Sequence, residues 1–148
     1  MTRRKTNEEL VALAVEASRN AVAPHSNFHV GAALEAANGT IYTGCNVESD
    51  SYGLTICAER VALTKALSEG ERKFTRIAVF GEELGGAGRF GSASNVLGPC
   101  GACRQLMLEH CGDIEVIGAT SGGEVGQVWQ LTELLPDAFL SRNRETGE

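Results

Sequence analysis

The chain has 148 residues, 43% of them hydrophobic and 5% aromatic, and a net charge of −6. That length suits one domain with its own core, and no apolar run approaches a membrane span. The acidic balance and scattered Lys and Arg argue against a nucleic-acid partner, which requires clustered cations.

The basic residues Arg3, Arg4 and Lys5 lack an apolar stretch behind them, so they do not read as a secretory signal. Five cysteines without an export signal fit the reducing cytoplasm. There, close cysteine spacing points to metal more often than to disulfides. Thr6 followed by Glu9 has the capping-box pattern. It predicts an amphipathic helix over 7–22, with Leu10, Leu13, Ala14, Ala17 and Ala21 on its buried face, ending near Pro24.

Alternation of Val30, Ala32 and Leu34 predicts a strand over 28–35, and Asn38-Gly39 turns it into a second strand at 41–45. Residues 57–68 are apolar around most of the circumference, which suits a buried helix stopped by Gly70. The continuous run 77–80 predicts a central strand. Residues 81–98 contain Gly81, Gly85, Gly86, Gly88, Gly91 and Gly98 and read as a loop, either a surface excursion or a lid. A helix over 100–110, a strand over 114–119 and a helical stretch after Leu131 complete the series. The order predicts a single α/β domain over 1–148, with one sheet covered by helices.

Two motifs carry chemistry. Cys57-Ala58-Glu59-Arg60 and Pro99-Cys100-Gly101-Ala102-Cys103 each stand at a predicted helix start, where partial positive charge favours thiolates. Cys100 and Cys103 lie one turn apart, and with Cys57 they supply three ligands for one zinc ion, leaving a fourth position for water. Glu59 is placed to act as general acid–base. Arg60 has a fork of donors that can bind thiolate sulfur and draw off its charge. The alternative is a closed structural zinc site completed by Cys45, Cys111, His25, His29 or His110. It gives no reason for the carboxylate two residues after Cys57. Cys45 and Cys111 otherwise read as small packing residues, and the three histidines as structural.

The paired motifs match the zinc-deaminase signature of a ligand two residues before Glu, followed later by P-C-x-x-C. Beyond them, the chain resembles the small cytidine deaminases over nearly its whole length. The matching stretches are 23–34, 46–48, 51–60 and 99–105, with 134–139 resembling the family's C-terminal motif. The resemblance implies a three-layer α/β/α fold with one mixed sheet, and one zinc per chain. It implies hydrolytic deamination of cytidine and 2′-deoxycytidine with release of ammonia, in the pyrimidine salvage reactions. It implies that Phe28 packs on the pyrimidine, Asn46 and Glu48 bind the sugar hydroxyl at C3′, and the Ala58 N–H meets the base edge. It implies a homotetramer in which Tyr52 and Phe139 serve neighbouring sites. On composition alone, Phe28 and Phe139 are ordinary packing aromatics, and Asn46 and Glu48 are turn residues. His25 and His29 stand where the family has tyrosine and proline, Asp50 stands where a small residue is usual, and the glycine-rich stretch is longer. A same-fold deaminase acting on a modified cytidine or a cytosine-containing antibiotic is one rival reading. A zinc-stabilised binding module is another.

Overall fold

A computed structural model describes residues 3–84 and 96–141. Helix α1 (Asn7–Ser18) opens as the capping box predicts: Glu9 N donates to Thr6 Oγ1 at 3.1 Å and Thr6 N to Glu9 Oε1 at 2.9 Å. Strands β1 (Phe28–Ala36) and β2 (Ile41–Cys45) form the expected hairpin. Helix α2 (Ala58–Ser68) leads into β3 (Phe74–Glu83), and α3 (Gly101–Cys111) into β4 (Glu115–Ala119). Strand β5 (Val125–Gln130) and the single turn α4 (Leu131–Leu134) follow.

The strand order is β2-β1-β3-β4-β5, with β3 and β4 parallel and the other pairs antiparallel. The sheet is therefore mixed. Leu10, Val11 and Ala14 of α1 cover one face over Ala33, Ala78 and Ile117. Helices α2 and α3 cover the other, where Ala62, Leu63, Cys103 and Met107 pack with Leu34, Ile77 and Val116. This is the three-layer α/β/α arrangement.

Three expectations need correction. Helix α1 stops at Ser18 rather than 22. The Ser18 hydroxyl donates back to Val15 O at 2.6 Å, and a little further on Val22 is drawn into extended pairing with 46–48, through Val22 N to Asn46 O at 3.0 Å and Glu48 N to Val22 O at 2.8 Å. Strand β3 runs through Glu83, so the loop expected from 81 starts later, paired along β1. The remainder of that loop, including the lid question, falls mainly on 85–95, outside the described residues. Strand β5 was not predicted. It is a largely exposed edge, and Gly126 and Gln127 dilute the apolar signal.

Arg76 and Glu35 form a buried pair at the end of the sheet away from the cysteines. Arg76 Nε reaches Glu35 Oε1 at 2.7 Å, and its Nη1 reaches Asn7 Oδ1 at 2.7 Å. Burial pushes the Glu35 carboxyl up, but hydrogen bonds from Arg76 and Thr75 outweigh it and hold the group at about 2. A depressed carboxyl stabilises the fold above its ordinary 4.5, and that contribution is lost as pH falls towards about 2. Arg76→Met should cost about 3–5 kcal/mol at pH 7, because it strands a buried charge. Urea unfolding would show this as a lower midpoint, with the gap to the parent narrowing on acidification. An unchanged midpoint at pH 7 would contradict it.

Candidate active site

Helices α2 and α3 begin side by side. Cys57 is the N-cap residue of α2 and Cys100 that of α3, and neither side chain makes a capping hydrogen bond to its helix. Both sulfurs are thus left for another partner at the positive helix ends. Cys103 lies one turn into α3 and is fully buried. Helix α2 sits directly on β2 because residue 44 is glycine: a Cβ there would lie 2.6 Å from both Ala58 O and Ala62 N.

Cys57 Sγ is 3.8 Å from Cys100 Sγ, and Cys100 Sγ is 3.3 Å from Cys103 Sγ. All three sulfurs fall within 4.8 Å of one another. Tetrahedral zinc with Zn–S near 2.3 Å would set its sulfurs about 3.8 Å apart. The donor set and spacing therefore fit zinc. Among the described residues no fourth cysteine, histidine or carboxylate joins the cluster, so Cys45, Cys111, His25, His29 and His110 do not close it.

Electrostatics favour the thiolate of Cys57. The Cys103 hydrogen bond, followed by those from Arg60 and Cys100, outweighs burial and holds the Cys57 thiol at about 5. The same contact with Cys57, together with burial, pushes Cys103 up. Arg60 Nη2 lies 3.6 Å from Cys57 Sγ and 3.3 Å from Thr55 O. Its Nε is buried with no partner among the described residues. Glu59 is 4% exposed, in the first turn of α2. Burial pushes its carboxyl up to about 7, against the pull of its own backbone N–H. A carboxyl poised there can both accept and release a proton near neutrality.

Phe28 heads β1 on the face shared with Val30 and the metal cluster. Its ring lies over Gly81, where a Cβ would come within 2.7 Å of Phe28 Cζ and 2.8 Å of the Leu97 side chain. A side chain at 81 would displace the ring. Asn46 is buried beside β1: its Oδ1 accepts from Val30 N at 2.8 Å and its Nδ2 donates to Phe28 O at 2.8 Å. Each end of that amide keeps one further bonding position. Glu48 Oε1 accepts from His25 N at 2.9 Å and Ser26 N at 3.1 Å, while Oε2 accepts from the Ser26 hydroxyl. The Ser26 hydroxyl, aided by those two N–H groups, holds the Glu48 carboxyl below its ordinary range despite some desolvation.

Ser26 had no assigned role in the sequence reading. The available signal was a short hydroxyl two residues before Phe28, a pattern that often folds back on the backbone. His25 Nε2 lies 3.0 Å from Asp50 Oδ1, and its ring meets Tyr52 edge-on at 5.3 Å. Two of the residues that depart from the family pattern are therefore partners. Ala58 is buried at the start of α2. Tyr52 and Phe139 are 74% and 78% exposed.

Residues 4–119 match the family described as "cytidine and deoxycytidylate deaminase zinc-binding region". The chain belongs to the cytidine and deoxycytidylate deaminase family. A cytidine deaminase of Sporosarcina psychrophila is 41% identical over 133 residues, which is 89% of this chain and 90% of that one. Among solved structures, cytidine deaminase from Burkholderia pseudomallei superposes with a TM-score of 0.80 at 44% identity, covering 91% of this chain and 100% of that one. The Mycobacterium tuberculosis cytidine deaminase gives 0.75 at 35% identity, covering 93% of this chain and 100% of that chain. The deaminase match extends through all three clustered cysteines and the Glu59 segment. This family member is thus a zinc-binding deaminase, with Cys57, Cys100 and Cys103 as the cluster that can hold one ion.

Proposed function

We propose that the chain hydrolyses cytidine and 2′-deoxycytidine to uridine and 2′-deoxyuridine with release of ammonia, working as a single domain over 1–148. The observation that carries this is the buried Glu59 carboxyl beside a three-sulfur cluster, in a chain whose relatives at about 40% identity are cytidine deaminases. When bound, zinc supplies Lewis-acid activation of a water molecule. Glu59 takes a proton from the attacking water and delivers it to ring N3, then moves a proton to the departing exocyclic amine. Arg60 balances the charge of the thiolates. The Ala58 N–H at the start of α2 meets the polar edge of the base.

Phe28 offers an aromatic face to the pyrimidine. Asn46 and Glu48 grip the sugar hydroxyl at C3′: the amide retains an N–H and the carboxylate an acceptor position on Oε2. Tyr52 and Phe139 complete neighbouring sites in a homotetramer. That assembly is supported by the exposed apolar set Val22, Val47, Tyr52, Leu54 and Ile56, a surface that monomers seldom leave bare. Five free cysteines suit a cytoplasmic enzyme of pyrimidine salvage. No helix among the described residues is long and apolar enough to cross a membrane.

A substrate panel tests the reading: cytidine, 2′-deoxycytidine, free cytosine and a cytosine-containing antibiotic, followed by ultraviolet absorbance and ammonia release. Both nucleosides should turn over, with cytosine slower by at least about a hundredfold for want of two hydrogen bonds to its missing sugar. Turnover confined to the antibiotic would move the chain to the rival deaminase reading. No ammonia from any substrate would leave only a zinc-binding module.

A further inference from the structure

Glu48 and Phe28 sit on different segments, yet one side chain touches both. The Ser26 hydroxyl accepts from Phe28 N at 3.0 Å and donates to Glu48 Oε2. Its own backbone N–H and that of His25 bond the other carboxylate oxygen, Oε1. An ionised carboxylate has about four acceptor positions. Two are taken on Oε1 and one on Oε2, which leaves a single position, on Oε2. The two N–H groups anchor Oε1, and among the described residues the Ser26 hydroxyl is the partner that holds Oε2.

The backbone is shaped for this contact. Asn27 takes a left-handed conformation with φ of 57°, which asparagine tolerates better than most residues. Its peptide is held from the opposite strand, with Leu84 N donating to Asn27 O at 3.1 Å. That twist turns Ser26 back over the start of β1, so its hydroxyl reaches the N–H of Phe28. The serine therefore ties the aromatic that faces the base to the carboxylate that faces the sugar.

We infer that Ser26 is a positioning residue, which orients the last acceptor of Glu48 towards the sugar hydroxyl at C3′. This rests on the reading of Glu48 as a sugar contact. Ser26 is exposed, so its side chain contributes little to the core.

The test uses zinc-loaded enzyme and two substrates, cytidine and 3′-deoxycytidine. Ser26→Ala should raise KM for cytidine about tenfold, with a smaller change in kcat, as expected for one misdirected charge-assisted hydrogen bond. Against 3′-deoxycytidine the same variant should change KM less than about twofold, since the bond it orients is absent. Ser26→Thr, which keeps the hydroxyl, should restore cytidine KM to within about threefold. Glu48→Gln is measured alongside and should also discriminate between the substrates. If Glu48→Gln discriminates but Ser26→Ala weakens both substrates equally, the positioning role is overturned and the sugar contact stands. Equal losses for Glu48→Gln on both substrates overturn the sugar contact, and the role of Ser26 with it.

Discussion

Glu59→Gln should lower kcat by about 10²–10⁴-fold, the usual contribution of a positioned proton-transfer group. Its carboxyl is buried, and burial is the main cause that pushes it up to about 7. The amide is nearly the same size and cannot accept and return a proton. Melting temperature and bound zinc should match the parent, because Glu59 is not among the three sulfur ligands. Ammonia release under saturating cytidine measures the loss, and metal analysis on the same sample controls for the site. Turnover within about tenfold of the parent would remove Glu59 from the proton-transfer role.

Cys103→Ala should abolish activity by another route. Cys103 is the buried member of the trio, with its sulfur 3.3 Å from that of Cys100. Two thiolates cannot define a three-ligand site, so zinc per chain should fall from about one to below about 0.1. The rate should drop at least about a thousandfold, because metal activation of water supplies several kcal/mol of barrier lowering. Exhaustive chelation of the parent should give the same loss, and added zinc should rescue the parent but not the variant. A Cys103→Ala protein that retains stoichiometric zinc would show that the ion is held elsewhere.

The site was legible where its signal is local. Cys57, Cys100 and Cys103 announce themselves by spacing, and each motif lies where a helix start can be read from the residues around it. The capping box of α1 and the Asn38-Gly39 hairpin are equally local and appear as expected. What stayed hidden depends on contacts distant in sequence. Nothing near Ser18 announces that Val22 will pair with residues 46–48, yet that pairing draws the chain out of the helical path. The buried Arg76–Glu35 pair joins strands 41 residues apart and left no pattern to read. Strand β5 lacks alternation because little of it is buried. Among the proposed substrate contacts, the aromatic and the amide–carboxylate pair were visible through the family resemblance. The serine that links them was not, because its importance comes from a backbone twist at Asn27 rather than from its chemistry alone.

The three sulfurs are divided unequally along the chain, with Cys100 standing 43 positions after Cys57. During synthesis the ribosome therefore delivers one ligand early and two late, with the whole of β3 emerging between them. A nascent chain halted before Cys100 holds only one of the three clustered sulfurs, that of Cys57. Metal capture is consequently a late event, possible only once β3 has carried the chain back alongside α2. The three-sulfur cluster is therefore complete only once synthesis has passed Cys103.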